Sequence, residues 1–119
     1  MQPKRYALTR IGEVEENRRA YFRRDTNFPV IVHVRRFNAD TRTAVPSWMV
    51  NISEDGCLIT SDYFPARADD VYIIIPGLGS KVHGVVRSQG EYTLNIKFKT
   101  LLTTDVVSTV TRINPVPKN

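Results

Sequence analysis

Apolar residues recur at every second position over several short stretches of this chain, and polar turn residues separate the stretches. A period of two puts alternate side chains on opposite faces of a strand. The clearest case is Tyr92, Leu94, Ile96 and Phe98, interleaved with Thr93, Asn95, Lys97 and Lys99. It predicts one buried and one wet face. Earlier, a β-branched run over 30–37 follows Pro29 and predicts a first strand, which Asn38, Ala39 and Asp40 break. A second strand is predicted over 44–52, with Trp48, Val50 and Ile52 on one side and Met49, Asn51 and Ser53 on the other. With the Trp48 side as core, Asn51 and Ser53 face out. Glu54-Asp55-Gly56 reads as a turn, and residues 57–60 lead into a third strand. A loop with Pro65 follows over 62–70. The run Val71-Tyr72-Ile73-Ile74-Ile75 predicts a buried fourth strand, ended by Pro76-Gly77-Leu78-Gly79. A fifth strand covers 81–89, before a turn at Gly90.

After the sixth strand the period changes. Val106, Val107, Val110 and Ile113 recur at helical spacing, with Thr103 or Thr104 placed to cap the helix and Pro115 to stop it. Its valines and threonines make it a poor helix alone, so it depends on docking. Residues 1–28 are polar and charged with little periodicity. They read as a flexible arm with at most one helical turn, sharing Val14, Arg18 and Tyr21 on a face. The predicted organisation is an arm over 1–28 and one domain over 29–114. The strands arrive every 8–15 residues through turns too short for parallel crossovers, which predicts an antiparallel barrel or sandwich.

Length and composition narrow the function. A chain of 119 residues holds one core but no separate catalytic domain. No apolar run approaches the roughly 18–20 residues of a membrane span. Residues 1–10 carry Lys4, Arg5 and Arg10 with no apolar stretch after them, unlike a secretory signal. Cys57 is the only cysteine, so no disulfide framework is expected. These features together predict a cytoplasmic protein. The net charge is +5, and its position says more than its size. The first 42 residues hold ten bases and five acids, while the remainder holds seven of each. Such asymmetry points to an anionic partner near the arm.

Two clusters could receive that partner. In Arg18-Arg19-Ala20-Tyr21-Phe22-Arg23-Arg24, Arg19 and Arg23 share a face whether the segment is helical or extended. Guanidinium forks fit phosphates and the O6/N7 edge of guanine. A solvated basic tail is the plainer alternative. In Asn51-Ile52-Ser53-Glu54-Asp55-Gly56, an outward amide and hydroxyl two apart can meet the donors and acceptors of a base, and Gly56 leaves room for close approach. The plainer alternative here is an ordinary polar turn with local hydrogen bonds. His33 and His83 are isolated histidines in strands, Trp48 and Tyr21 default to packing, and no nucleophile elbow, paired acids or metal-ligand cluster is visible. An enzyme is not expected.

Taken together, Arg19-x-x-x-Arg23 before the first strand and Asn51-x-Ser53-x-x-Gly56 after the second resemble the signature of the PilZ domain family. Gly84-Val85-Val86-Arg87 and Asn95-Ile96-Lys97-Phe98 resemble that family's fifth and sixth strands, so the likeness runs from about Arg18 to Ile113. The resemblance implies a six-stranded antiparallel β-barrel with a C-terminal helix. It also implies a non-enzymatic receptor for the bacterial second messenger cyclic di-GMP, needing no cofactor. By position, Arg19, Arg23, Asn51, Ser53 and Gly56 would hold the ligand, with Arg18 and Arg87 as neighbours. Asn51 stands where the family more often has Asp, and Thr93-Leu94 where many relatives carry a glycine. The expected output is a change in the arm, read by a downstream protein partner. Two other readings compete: a basic barrel that binds single-stranded nucleic acid, and a PilZ-like adaptor that binds proteins only. The first would require aromatics interleaved with bases on exposed strands. Only Tyr21, Phe22 and Phe37 sit near the arginines, so nucleic acid ranks well below cyclic di-GMP.

Overall fold

The computed structural model describes residues 21–113. The expected flexible arm, with Arg18 and Arg19, lies outside the described residues as far as residue 20. Six strands and one helix follow in chain order: β1 (Arg24–Arg36), β2 (Arg42–Ile52), β3 (Gly56–Thr60), β4 (Ala68–Ile74), β5 (Val82–Gln89), β6 (Thr93–Phe98) and α1 (Thr104–Thr111). They close an antiparallel barrel in the order β1-β2-β3-β6-β5-β4, with β4 returning to β1. Two three-stranded meanders, β1-β2-β3 and β4-β5-β6, are thus zipped together along β1–β4 and β3–β6. This settles barrel over sandwich.

Alternation fills the interior. Phe28, Val30, Val32 and Val34 point in from β1, and Leu94, Ile96 and Phe98 from β6, all buried. Burying each such side chain contributes about 1.5–3 kcal/mol relative to exposure. The helix closes one end with Val107 and Val110, both fully buried. Thr103 is its N-cap: its hydroxyl accepts from the Val106 amide at 3.1 Å, and Asp105 adds a negative charge in the first turn. Asn38, at φ 64, makes the turn out of β1, a conformation asparagine tolerates better than most residues.

Four expectations need correction. The first strand begins at Arg24, inside the stretch read as arm, because its ladder with β2 restarts beyond a register shift between Asp25 and Phe28. In β2 the phase is inverted: Val45, Ser47 and Met49 point inward, and Trp48 outward and half-buried. A bulge between Met49 and Asn51 then moves the phase by one, so Ile52 is inward again. One extra residue hid this from a strict period-two reading. The run 71–75 is not buried on both sides. Val71, Ile73 and Ile75 are core, whereas Ile74 is 41% exposed. Tyr92 does not continue the buried face of β6; it lies before the strand and is 52% exposed.

Candidate functional site

Arg23, from the first cluster singled out in the sequence, meets Asn51, from the second, where β1 begins. Arg23 sits one residue before β1 and turns its guanidinium across the outside of the barrel. Its Nη1 donates to Asn51 Oδ1 at 2.7 Å, and its Nη2 donates to Asn95 Oδ1 at 3.3 Å. The barrel order explains why two asparagines 44 positions apart in sequence serve one arginine. Asn51 pairs with Leu58, and Leu58 pairs with Asn95, so the three stand in one row across β2, β3 and β6. The bulge in β2 sets Asn51 in that row. Asn95 is the residue that motif reasoning missed as a site member. Its signal was present in the wet face of the sixth strand, but its neighbours follow only from the barrel order.

Gly56 lies in the next row, opposite Lys97. A Cβ at this position would stand 2.3 Å from the Ile96 carbonyl oxygen and 3.4 Å from Arg23 Nη2. The missing side chain therefore lets β3 and β6 approach and keeps a shallow floor beneath the guanidinium.

Ser53 departs from the expected outward pair. It is fully buried. Its hydroxyl donates to Asp55 Oδ1 at 2.6 Å, and its backbone amide donates to the Gly56 carbonyl at 2.8 Å. The serine thus shapes the turn that carries Gly56, as the plainer reading of the motif had it. The next two residues fasten that turn to the rest of the barrel. Glu54, itself buried, accepts from Thr104 Oγ1 at 3.1 Å, and its carbonyl accepts from the Leu102 amide. The Asp55 carbonyl accepts from the Phe98 amide. A displacement of the turn would thus be felt at the end of β6 and the start of α1. Arg24 adds a further link, donating to Ser108 Oγ at 3.1 Å.

Arg87 is exposed and lies in a bulge of β5, beside Ser88, which pairs with Asn95. Cys57, beneath the site, is buried. Burial pushes its thiol up to about 12, against a smaller opposing pull from Arg23, so the sulfur stays protonated and unreactive at neutral pH.

A second polar cluster lies on the outer face of β4. Asp70 is nearly buried and accepts from Arg42 Nη2 and Lys99 Nζ, each at 2.7 Å. Burial alone would raise its carboxyl; the hydrogen bonds from Lys99 and Arg42 outweigh that and hold it below the usual range. Next to it, Tyr72 stacks on His83 at 3.8 Å, with the Arg42 guanidinium 4.1 Å from its ring centroid. This cluster ties β2, β4, β5 and Lys99, the residue after β6, together and holds its own charges in pairs.

Among the described residues no group of histidine, cysteine or carboxylate side chains could hold a metal ion. No helix among them is long and apolar enough to cross a membrane. Comparison with family models, curated proteins and solved structures found no match.

Proposed function

We propose that this chain is a PilZ-like, non-enzymatic receptor that binds cyclic di-GMP where the segment before β1 meets the barrel wall. One observation carries the reading. Arg23, from the arginine motif, and Asn51, from the Asn-x-Ser-x-x-Gly motif, are 28 residues apart in sequence and in direct hydrogen-bond contact. Arg23 and Asn51, one residue of each motif, thus meet on the outer wall, with Gly56 beside them.

The chemistry suits a guanine dinucleotide. Arg23 presents a planar fork of donors that fits a phosphate or the Hoogsteen edge of guanine. The neighbouring amides Asn51 and Asn95 each offer a donor pair and an acceptor for the rest of a base. Gly56 leaves the floor open for a flat ring. Arg19 supplies the second guanidinium in this reading, with Arg18 and Arg87 at the margin. Ser53 acts through the turn rather than by touching the ligand. Binding exchanges the Arg23–amide contacts for ligand contacts, and the change at the arginine-bearing segment is the signal a downstream protein reads.

A single-strand-binding barrel would need exposed rings interleaved with bases. Half-buried Trp48 and exposed Tyr63 and Tyr92 line a hollow with no lysine or arginine among the described residues, which favours the receptor over that alternative.

Calorimetry with cyclic di-GMP tests the proposal. Wild type binds with a dissociation constant of about 10 µM or tighter. Arg19→Ala and Arg23→Ala each weaken binding by about tenfold or more, as loss of a charge-assisted contact implies. Absence of binding by wild type sinks the receptor reading. Binding indifferent to both arginines sinks the site.

A further inference from the structure

We infer that the hollow between the β4–β5 loop and the start of α1 is a binding site for a small aliphatic anion, a short apolar chain that ends in one acidic group. The hollow holds about 330 Å³, at the lower end of the range for small-molecule sites. Leu78, Val82, Leu101, Leu102 and Val106 supply its apolar wall. Val82 is part of the core, and Leu78, Leu102 and Val106 pack against it, so the floor is fixed by the barrel. Leu101 instead stays 55% exposed at the edge. A concave apolar wall on a rigid floor, with a large side chain left open to water, gains free energy when a chain covers it.

The charge beside this wall sets the sign of the head group. Lys81 and His83 line the hollow, and among the described residues no carboxylate does. Lys81 holds its ammonium 4.5 Å from the Tyr72 ring centroid, and Tyr72 stacks on His83 at 3.8 Å, so one aromatic pair positions both. The nearest acid is already shared. Asp70 accepts from Arg42 and Lys99, each at 2.7 Å, and His83 Nε2 lies 3.9 Å from it. Lys81 has no ion pair among the described residues. One carboxylate thus stands against three cations, Arg42, Lys81 and Lys99, and the surplus lies at the rim of the apolar wall. Ser80 and Thr100 add hydroxyls to the lining. His83 registers the same surplus: burial lowers its pKa, and Lys99, Arg42 and Lys81 lower it further against the pull of Asp70. An apolar wall with cations on one side fits an apolar chain with an anionic end. None of Arg23, Asn51 and Gly56 lines the hollow, so the inference stands apart from the nucleotide proposal.

Nuclear magnetic resonance titration of the isotope-labelled full chain, without nucleotide, provides the test, with octanoate as the probe. The backbone amides of Val82, Leu101 and Leu102 shift together and saturate, with a dissociation constant of about 1 mM or tighter. Octanol, which lacks the charge, binds about tenfold more weakly. Hexanoate binds about three- to tenfold more weakly than octanoate, because it covers less of the wall. Lys81 is exposed, so Lys81→Gln folds; it weakens octanoate by about threefold or more and leaves octanol unchanged. Leu101→Ser weakens both. The His83 pKa rises when octanoate saturates the site, a response that a purely apolar contact does not produce. Three results overturn the inference: no saturable shift with up to about 10 mM octanoate, octanol binding as well as octanoate, or octanoate affinity indifferent to Lys81→Gln. A blocked acidic peptide, acetyl-Leu-Leu-Asp-amide, moving these amides where octanoate does not would make the hollow a peptide site and overturn it equally.

Discussion

Adding one methyl group at Gly56 should loosen the barrel where it closes over the candidate site. The new Cβ would begin 2.3 Å from the Ile96 carbonyl oxygen, a backbone atom with no rotamer to yield. Reaching the 3.4 Å of ordinary contact requires β3 to retreat from β6 by about 1 Å at the Gly56–Lys97 pair. Overpacking of this kind costs about 1–3 kcal/mol. A weakened ladder hydrogen bond adds about 0.5–1.5 kcal/mol, and the lower unfolded-state entropy of alanine returns about 0.4–1 kcal/mol. The net loss for Gly56→Ala is about 0.5–4 kcal/mol, centred near 2, which for a domain this size lowers Tm by roughly 2–20 °C. Gly79→Ala is the control. A Cβ there meets nothing within 4 Å, and the residue is not in the left-handed region. Its Tm should stay level or rise slightly. Thermal and urea unfolding of both variants checks the argument. A Gly56→Ala protein melting within about 2 °C of wild type, or a Gly79→Ala protein falling as far, would refute the close-approach account.

Asp70→Asn should cost about 1–3 kcal/mol at neutral pH, since Arg42 and Lys99 lose a charged acceptor but keep partial access to water. The folded carboxyl titrates below its ordinary value of 3.8, so its stabilisation is full above that pH and is lost as pH falls on through the lower folded value. Unfolding curves of wild type and Asp70→Asn should therefore converge in acid; a gap that widens there would reverse the sign of the argument. Thr103→Ala removes the N-cap hydroxyl of α1 and should cost about 0.5–2 kcal/mol, read by urea denaturation, with Thr104→Ala as the comparison that breaks the tie to Glu54 instead.

The number of strands and their places along the chain were legible because alternation survives wherever one face is buried. The 92–98 stretch shows this best: Leu94, Ile96 and Phe98 are all interior. A threonine cap for α1 was legible for the same reason, a local rule acting locally, and the structure decides for Thr103 over Thr104. What failed was phase. The β2 bulge shifts the side chains by one residue, and no residue type in Trp48-Met49-Val50-Asn51 announces it. That shift sends Trp48 outward, where it is half-buried on the barrel wall. Ser53 parts from Asn51 for another reason: it lies past the end of β2, within the turn. The motif reading paired them as a base-holding wall, whereas the structure buries the serine in the turn. Asn95 was hidden for a different reason. Its place beside Arg23 depends on β3 pairing with β6, a contact between the two meanders that sequence spacing does not encode.

Because the ligand side of the site was drawn from a resemblance, and its geometry from Arg23, Asn51, Asn95 and Gly56, the most direct test watches those atoms. In a titration of the isotope-labelled full chain with cyclic di-GMP, the side-chain amides of Asn51 and Asn95 and the backbone amide of Gly56 should shift together and saturate. In Arg23→Ala the same signals should respond only at about tenfold higher ligand or more. Spectra unchanged at saturating ligand, or shifts confined to residues remote from Arg23, would contradict the account.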